Sequence, residues 1–271
     1  MQKHKDNLHE GQKSVDPIYS SGKYFEDPNK YCKHAQYKAD NFLKIFLRFV
    51  RQYNITIHSC VDVGCGSGDI IKIISSSLKE KGFTLDIIKG YDISPHVQTI
   101  RHEEIEFVHG DFCESDEFVD LVTLFDVFEH IRDPIYFINR VALRCKMIVF
   151  NIPLDYSLKK AREGFHHKLK EEGHLIFMDS VSALNVLALA GLRVVDYEYA
   201  YPFLHPSTRI DSYRQKLILP FWLRLLKPFF FSKIFGHTTL FVIALTQIGL
   251  CDIDLTDYFE KATISREDNF L

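Results

Sequence analysis

Between residues 59 and 153 short apolar runs alternate with amphipathic stretches, and that rhythm restricts the fold more than any other feature of the chain. "SCVDVG" (59–64) reads as a buried strand, and "DIIKIISSSLKEKG" (69–82) as an amphipathic helix stopped by Gly82. "LDIIKGYDIS" (85–94), "IEFVHGDF" (105–112) and the apolar start of "FVDLVTLFDVFEHI" (118–131) supply three more strands. "DPIYFINRVALRC" (133–145) is a helix with Pro134 near its first turn, and "KMIVFNIP" (146–153) is a strand halted by Pro153. Near-continuous apolar strands separated by helices argue for a parallel sheet covered on both faces.

The flanks extend this unit without dividing it. Residues 1–20 are polar and aperiodic and read as a flexible tail, as do 251–271. Residues 21–55 form a helical cover in which Tyr37, Phe42, Ile45, Phe46, Phe49 and Val50 share one face and the basic residues the other. After the fifth strand, "DSVSALNVLALAG" (179–191) is a helix with Asp179 or Ser180 as cap and Gly191 as stop. "LRVVDYEYAY" (192–201) and "HTTLFVIALTQ" (237–247) are late strands, and 201–237 is an insertion between them. The domain proper spans 21–250.

The turn "VDVGCGSGD" (61–69) lets backbone approach a ligand closely at Gly64, Gly66 and Gly68. It does not suit a pyrophosphate, because Asp69 occupies the position where the third small residue of a dinucleotide fingerprint belongs. No Gly-Lys-Ser/Thr follows, so a P-loop fails too. Instead, acids stand at successive strand ends: Asp62, Asp92, Asp111 and Asp126. Four carboxylates at the carboxyl edge of an α/β sheet suit a ligand with an amine, ribose hydroxyls and an exocyclic amine. Taken singly, Asp62 also suits a strand terminus and Asp69 a helix cap, and Cys65 reads as a small turn residue.

In order and spacing, "VDVGCGSGD", "GYDIS" (90–94), "HGDF" (109–112) and "LVTLFDVFEHI" (121–131) resemble the class I S-adenosylmethionine-dependent methyltransferases. "GHLIFMDSVSALNVLALAGLRVVD" resembles the segment before their sixth strand, so the likeness covers roughly 30–247. It implies a Rossmann-like, doubly wound sheet of seven strands, mostly parallel with the last strand antiparallel. It implies S-adenosylmethionine as cofactor and S-adenosylhomocysteine as product. By position, Asp62 orients the water or the amine at the methionine end, with Gly64, Cys65, Gly66 and Gly68 along the cofactor. Asp92 takes the ribose hydroxyls and Ile93 packs on the adenine. Asp111 takes the adenine amine with Phe112 beside the ring, and Phe125 and Asp126 close the site below the sulfonium.

A small-molecule hydroxyl is the expected acceptor; N- or C-methylation of an amino sugar or a lipid-like molecule is the alternative. A non-catalytic, cofactor-binding partner subunit is the reading of another class. "FDVFEH" stands where an amide-nitrogen methylase carries Asn-Pro-Pro-Tyr, and the net charge of −3 gives no reason to expect nucleic acid. A base would come from His130, or from His166, His167 and His174, with a loop-building role as the other reading of His130. Glu129 has no assigned role. His-His-x6-His lacks the carboxylate spacing of a known metal site, so no metal is expected.

Residues 213–236 carry Arg214, Lys216, Arg224, Lys227 and Lys233 among aromatic and aliphatic side chains, without an acid. Pro220 and Pro228 are expected to break this stretch into short pieces. Three readings stay open: a wall of the acceptor pocket facing Tyr31 and Tyr37, a contact with an anionic membrane surface, or packing at the sheet edge, including a homodimer interface. Six scattered cysteines read as reduced thiols, and neither a secretory leader nor an 18-residue apolar run is visible, so a cytoplasmic location is expected.

Overall fold

The computed structural model describes residues 34–163, 173–208 and 213–252; the 1–20 segment, Tyr31, His166 and His167 lie outside them. Helix α1 (Ala35–Gln52) precedes β1 (Ser59–Val63), α2 (Asp69–Glu80), β2 (Ile87–Asp92), β3 (Glu106–His109) and β4 (Val119–Phe125). Then come α3 (Pro134–Ala142), β5 (Cys145–Pro153), α4 (Leu158–Glu163), α5 (Ser180–Leu189) and β6 (Arg193–Ala200). Helices α6 (Tyr213–Leu225) and α7 (Pro228–Phe235) lead to β7 (Thr239–Leu245) and α8 (Gln247–Asp252). Helix therefore continues to Asp252, where Lys146 pairs with it at 3.1 Å, two residues into the expected C-terminal tail.

The seven strands lie in the order β3-β2-β1-β4-β5-β7-β6. Six strands run in one direction, and β7 alone runs antiparallel, between β5 and β6. Because β1 sits where the order reverses, its carboxyl end opens into the crevice that such sheets offer to ligands. All five residues of β1 are buried, as a strand covered on both faces must be.

One core lies under α1 and α2, where Phe42, Phe46, Ile71 and Ile74 are buried against Leu121, Phe125 and Phe241. The other lies under α3 and α5 and contains Phe128, Ile138, Phe150, Ala183 and Leu187. Helix α5 begins with a full capping box: Asp179 accepts from the Ser182 N–H at 2.8 Å, and the Ser182 hydroxyl lies 2.9 Å from the Asp179 N–H. Removing that cap with Asp179→Ala should cost about 1 kcal/mol of stability by chemical denaturation.

Two expectations need correction. Pro220 does not break its segment; it lies inside α6, while Pro228 takes the first position of α7, and the chain interrupts itself between them. Proline disrupts a helix by removing one N–H and crowding a carbonyl four residues back, and a 13-residue helix tolerates this at one site. The basic face of α1 is not turned to solvent throughout. Arg48 pairs with Asp196 and Glu198 of β6 at 2.8 and 2.9 Å, Lys44 also binds Glu198, and Lys38 reaches the site described next.

Candidate active site

The turn after β1 is built from left-handed backbone, with φ of +77°, +55° and +74° at Gly64, Gly66 and Gly68. A side chain at Gly68 would meet the Phe107 ring at 2.5 Å, so a bare backbone is needed there as well as a positive φ. The turn is fastened to the end of β2. The N–H groups of Gly64 and Cys65 donate to the Tyr91 carbonyl at 2.8 and 3.0 Å, and that of Gly66 donates to Asp92 Oδ2 at 2.8 Å. Asp92 Oδ1 accepts from the Ser94 N–H at 2.7 Å.

Asp62 is 2% exposed. It pairs in register with Thr123 on β4, whose hydroxyl donates to Asp62 Oδ1 at 2.6 Å. Oδ2 of Asp62 is buried and receives no hydrogen bond. Burial pushes the Asp62 carboxyl up to about 7, against the lowering effects of Thr123 and of Lys38, with Asp92 adding to the rise. Burial also raises Asp92, although its two backbone N–H bonds oppose the shift.

Asp126 directly follows β4 with a φ of +56°, a sparsely populated conformation for a residue other than glycine. Asn151, one strand over, holds it there: its amide donates to Asp126 Oδ1 at 2.6 Å, and its carbonyl accepts from the Asp126 N–H at 3.0 Å. Lys38 Nζ lies 2.8 Å from Asp126 Oδ2 with only 15% of its side chain exposed. A cation from the N-terminal helix thus stands within the acidic crevice.

Beyond Asp126, a single helical turn (Phe128–His130) buries Glu129 completely and His130 almost so. The segment after residue 173 is stitched onto this turn. His130 Nδ1 lies 3.0 Å from the Gly173 carbonyl, and the Leu175 N–H donates to the Glu129 carbonyl at 2.9 Å. This brings His174 against His130, ring centroids 4.8 Å apart and nearly perpendicular. His174 Nδ1 lies 2.7 Å from Asp155 Oδ2. Burial holds the Glu129 carboxyl well above the usual range, and the nearby Asp126 adds to the effect.

A family model described as "Methyltransferase domain" matches residues 31–197, more than half of the chain. The chain belongs to that family. The fold of this methyltransferase is shared with the partner of the Haloferax volcanii Trm112 methyltransferase activator, at 16% identity and a TM-score of 0.51 over 80% of this chain and 95% of that one. An S-adenosylmethionine-dependent methyltransferase from Archaeoglobus fulgidus aligns at 17% identity and a TM-score of 0.50, over 78% and 94% of the two chains. Magnesium protoporphyrin IX methyltransferase from Synechocystis, solved with S-adenosylhomocysteine, gives 14% identity and a TM-score of 0.47, over 79% and 84%. No curated protein matches the chain.

Of the residues singled out in the sequence, Asp62, the glycine turn, Asp92, Ile93, Asp111 and Asp126 all stand along the carboxyl ends of β1 to β4 in the methyltransferase. Asp111 caps the turn Phe112–Glu114 by accepting from the Cys113 N–H at 2.8 Å. Two aromatic rings are already engaged in packing. Phe112 is buried edge-on to Tyr91, and Phe125 lies between Phe42 and Phe241. Cys65 is buried in the turn, and all five described cysteines are free thiols. His130 and His174 come together. Lys38, Thr123, Asn151 and Asp155 join the site without having stood out in the sequence, as does Glu129, which has no assigned role there. None of these carries a local signal except Glu129, whose place beside His130 just past an apolar strand hinted at burial.

Proposed function

We propose that this protein transfers a methyl group from S-adenosylmethionine to a hydroxyl oxygen of a small molecule. The observation that carries the reading is Asp62: a buried carboxylate at the switch point of the sheet with one oxygen lacking a donor. Such a group is costly unless a cation or a donor completes it, and the amine of a methionine chain is of that kind. The acids beside it fit the rest of the cofactor. Asp92 keeps lone pairs for ribose hydroxyls after its two backbone bonds, and Asp111 stands one strand further for an adenine amine.

When bound, S-adenosylmethionine supplies a methyl group activated by the positive sulfur to which it is attached. The protein's task is to align the acceptor and to remove its proton. Lys38, Asn151 and the strained Asp126 fix the floor next to the transfer point. The buried Glu129, His130 and His174 form the side on which a hydroxyl proton would leave. Apolar side chains exposed on α6 and α7, including Phe221, Trp222, Phe229 and Phe230, support an acceptor with an apolar body.

Calorimetry with S-adenosylmethionine and S-adenosylhomocysteine tests the reading, and pH gives it a sign. The ammonium favours ionised Asp62, so binding below pH 7 should release about one proton, and affinity should fall roughly tenfold per pH unit as Asp62 takes up its proton. In the unliganded protein the same raised pKa works oppositely. Its contribution to stability is present at low pH and lost as pH rises through about 7. Absence of binding heat with either compound would overturn the reading. Binding without proton release would move the amine away from Asp62.

A further inference from the structure

Glu129, His130 and His174 each present one ligand-type atom, and these atoms lie within 4.8 Å of one another in a buried cluster. Glu129 is 0% exposed, and neither of its carboxylate oxygens receives a hydrogen bond. Such a group is ordinarily completed by a donor or a cation.

The two histidines are arranged in a complementary way. His130 Nδ1 donates to the Gly173 carbonyl at 3.0 Å, and its Nε2 lies 3.9 Å from Glu129 Oε1. His174 Nδ1 lies 2.7 Å from Asp155 Oδ2, an ion-pair contact without hydrogen-bond alignment, which sets a carboxylate beside the ring. Gly173 thus holds the His130 ring, and Asp155 stands beside that of His174. Sequence spacing does not display this set: Glu129 and His130 follow β4, Asp155 follows β5, and His174 lies in a third segment.

We infer that Glu129, His130 and His174 form a binding site for one divalent transition-metal ion, with zinc the best match in donor chemistry. Two imidazoles and one carboxylate suit zinc or iron(II) better than magnesium, and three protein ligands leave a position open for an exogenous oxygen. Donors around one zinc ion stand roughly 3 to 4 Å apart, so binding draws the trio inward by about 1 Å. The site adjoins Asp126, whose charge acts on Glu129. On the proposed methyl-transfer reading, on which this role rests, the open position receives the acceptor hydroxyl and lowers its pKa. The metal-binding inference itself concerns only the chain's own residues.

Untagged full-length protein, stripped with a chelator, is titrated with Co2+ and Zn2+, with S-adenosylhomocysteine binding measured in parallel. The expected result is one equivalent of Co2+ with visible ligand-field bands typical of nitrogen and oxygen donors, displaced by Zn2+. Glu129→Gln should weaken Co2+ by at least about tenfold while S-adenosylhomocysteine still binds. Should that variant fail to bind S-adenosylhomocysteine, Asp155→Asn, which removes the charge beside His174, is judged by the same two measurements. Failure of the wild type to bind Co2+ while it binds S-adenosylhomocysteine would overturn the metal site and leave the transfer reading standing. Unweakened Co2+ binding by a folded variant would overturn it as well, because the ion would then sit elsewhere. The reverse pattern, Co2+ bound at Glu129 with no S-adenosylhomocysteine heat, would remove the transfer reading and keep the site.

Discussion

Replacing Phe42 with alanine should destabilise the protein by about 3 to 5 kcal/mol, the range for deleting a fully buried aromatic side chain. Phe42 is 0% exposed and stacks on Phe46 at 4.9 Å between centroids, with Phe125 at 6.1 Å. Its ring thus joins α1 to β4, the strand that leads into Asp126. If α1 were a cover laid on a finished domain, the loss would be within about 0.5 kcal/mol, as for a surface substitution. Chemical denaturation distinguishes the two, and the midpoint of thermal unfolding should fall by roughly 6 to 20 °C. A functional consequence follows from the same contact. Lys38 lies one turn before Phe42 on α1, so loosening the helix should also weaken the 2.8 Å pair with Asp126.

Much of this architecture was legible because it rests on local chemistry. Apolar runs of strand length, glycine stops and an Asp179 cap each declare themselves within a few residues, and the sheet order follows from how such units wind. The acids at strand ends were legible for a related reason. Strand termini can be placed from the apolar pattern, and a parallel sheet gathers its carboxyl ends on one edge.

What stayed hidden depends on which distant side chains meet. Lys38 reads as one more surface cation on an amphipathic helix, and only the packing of α1 across the sheet turns it toward Asp126. Asn151 reads as a polar interruption near the end of a strand, yet its amide holds Asp126 in left-handed backbone. The spacing of His166, His167 and His174 shows no carboxylate, whereas the fold brings Glu129 from just past β4 close to His130 and His174. Pro220 misled for the opposite reason. A local rule predicted a break, and the turns on either side of it keep α6 continuous.

Asp92→Ala should weaken binding of S-adenosylhomocysteine by about 1 to 3 kcal/mol, or roughly 5- to 150-fold, on the proposed placement of the ribose. Two losses add. The ribose hydroxyls lose a charged acceptor, and the Gly66 and Ser94 N–H groups, now bonded at 2.8 and 2.7 Å, lose theirs. The second loss falls on the glycine turn, which the cofactor must find preformed if binding is not to bear its ordering cost. Asp92→Asn separates the two, since an amide keeps one acceptor oxygen for the turn but removes the charge and gives up the second. It should therefore bind more tightly than the alanine variant and less tightly than the wild type. Equal affinity in all three proteins would place the ribose away from Asp92. A loss confined to the alanine variant would assign Asp92 to fastening the turn to β2, with the ribose hydroxyls held by other groups.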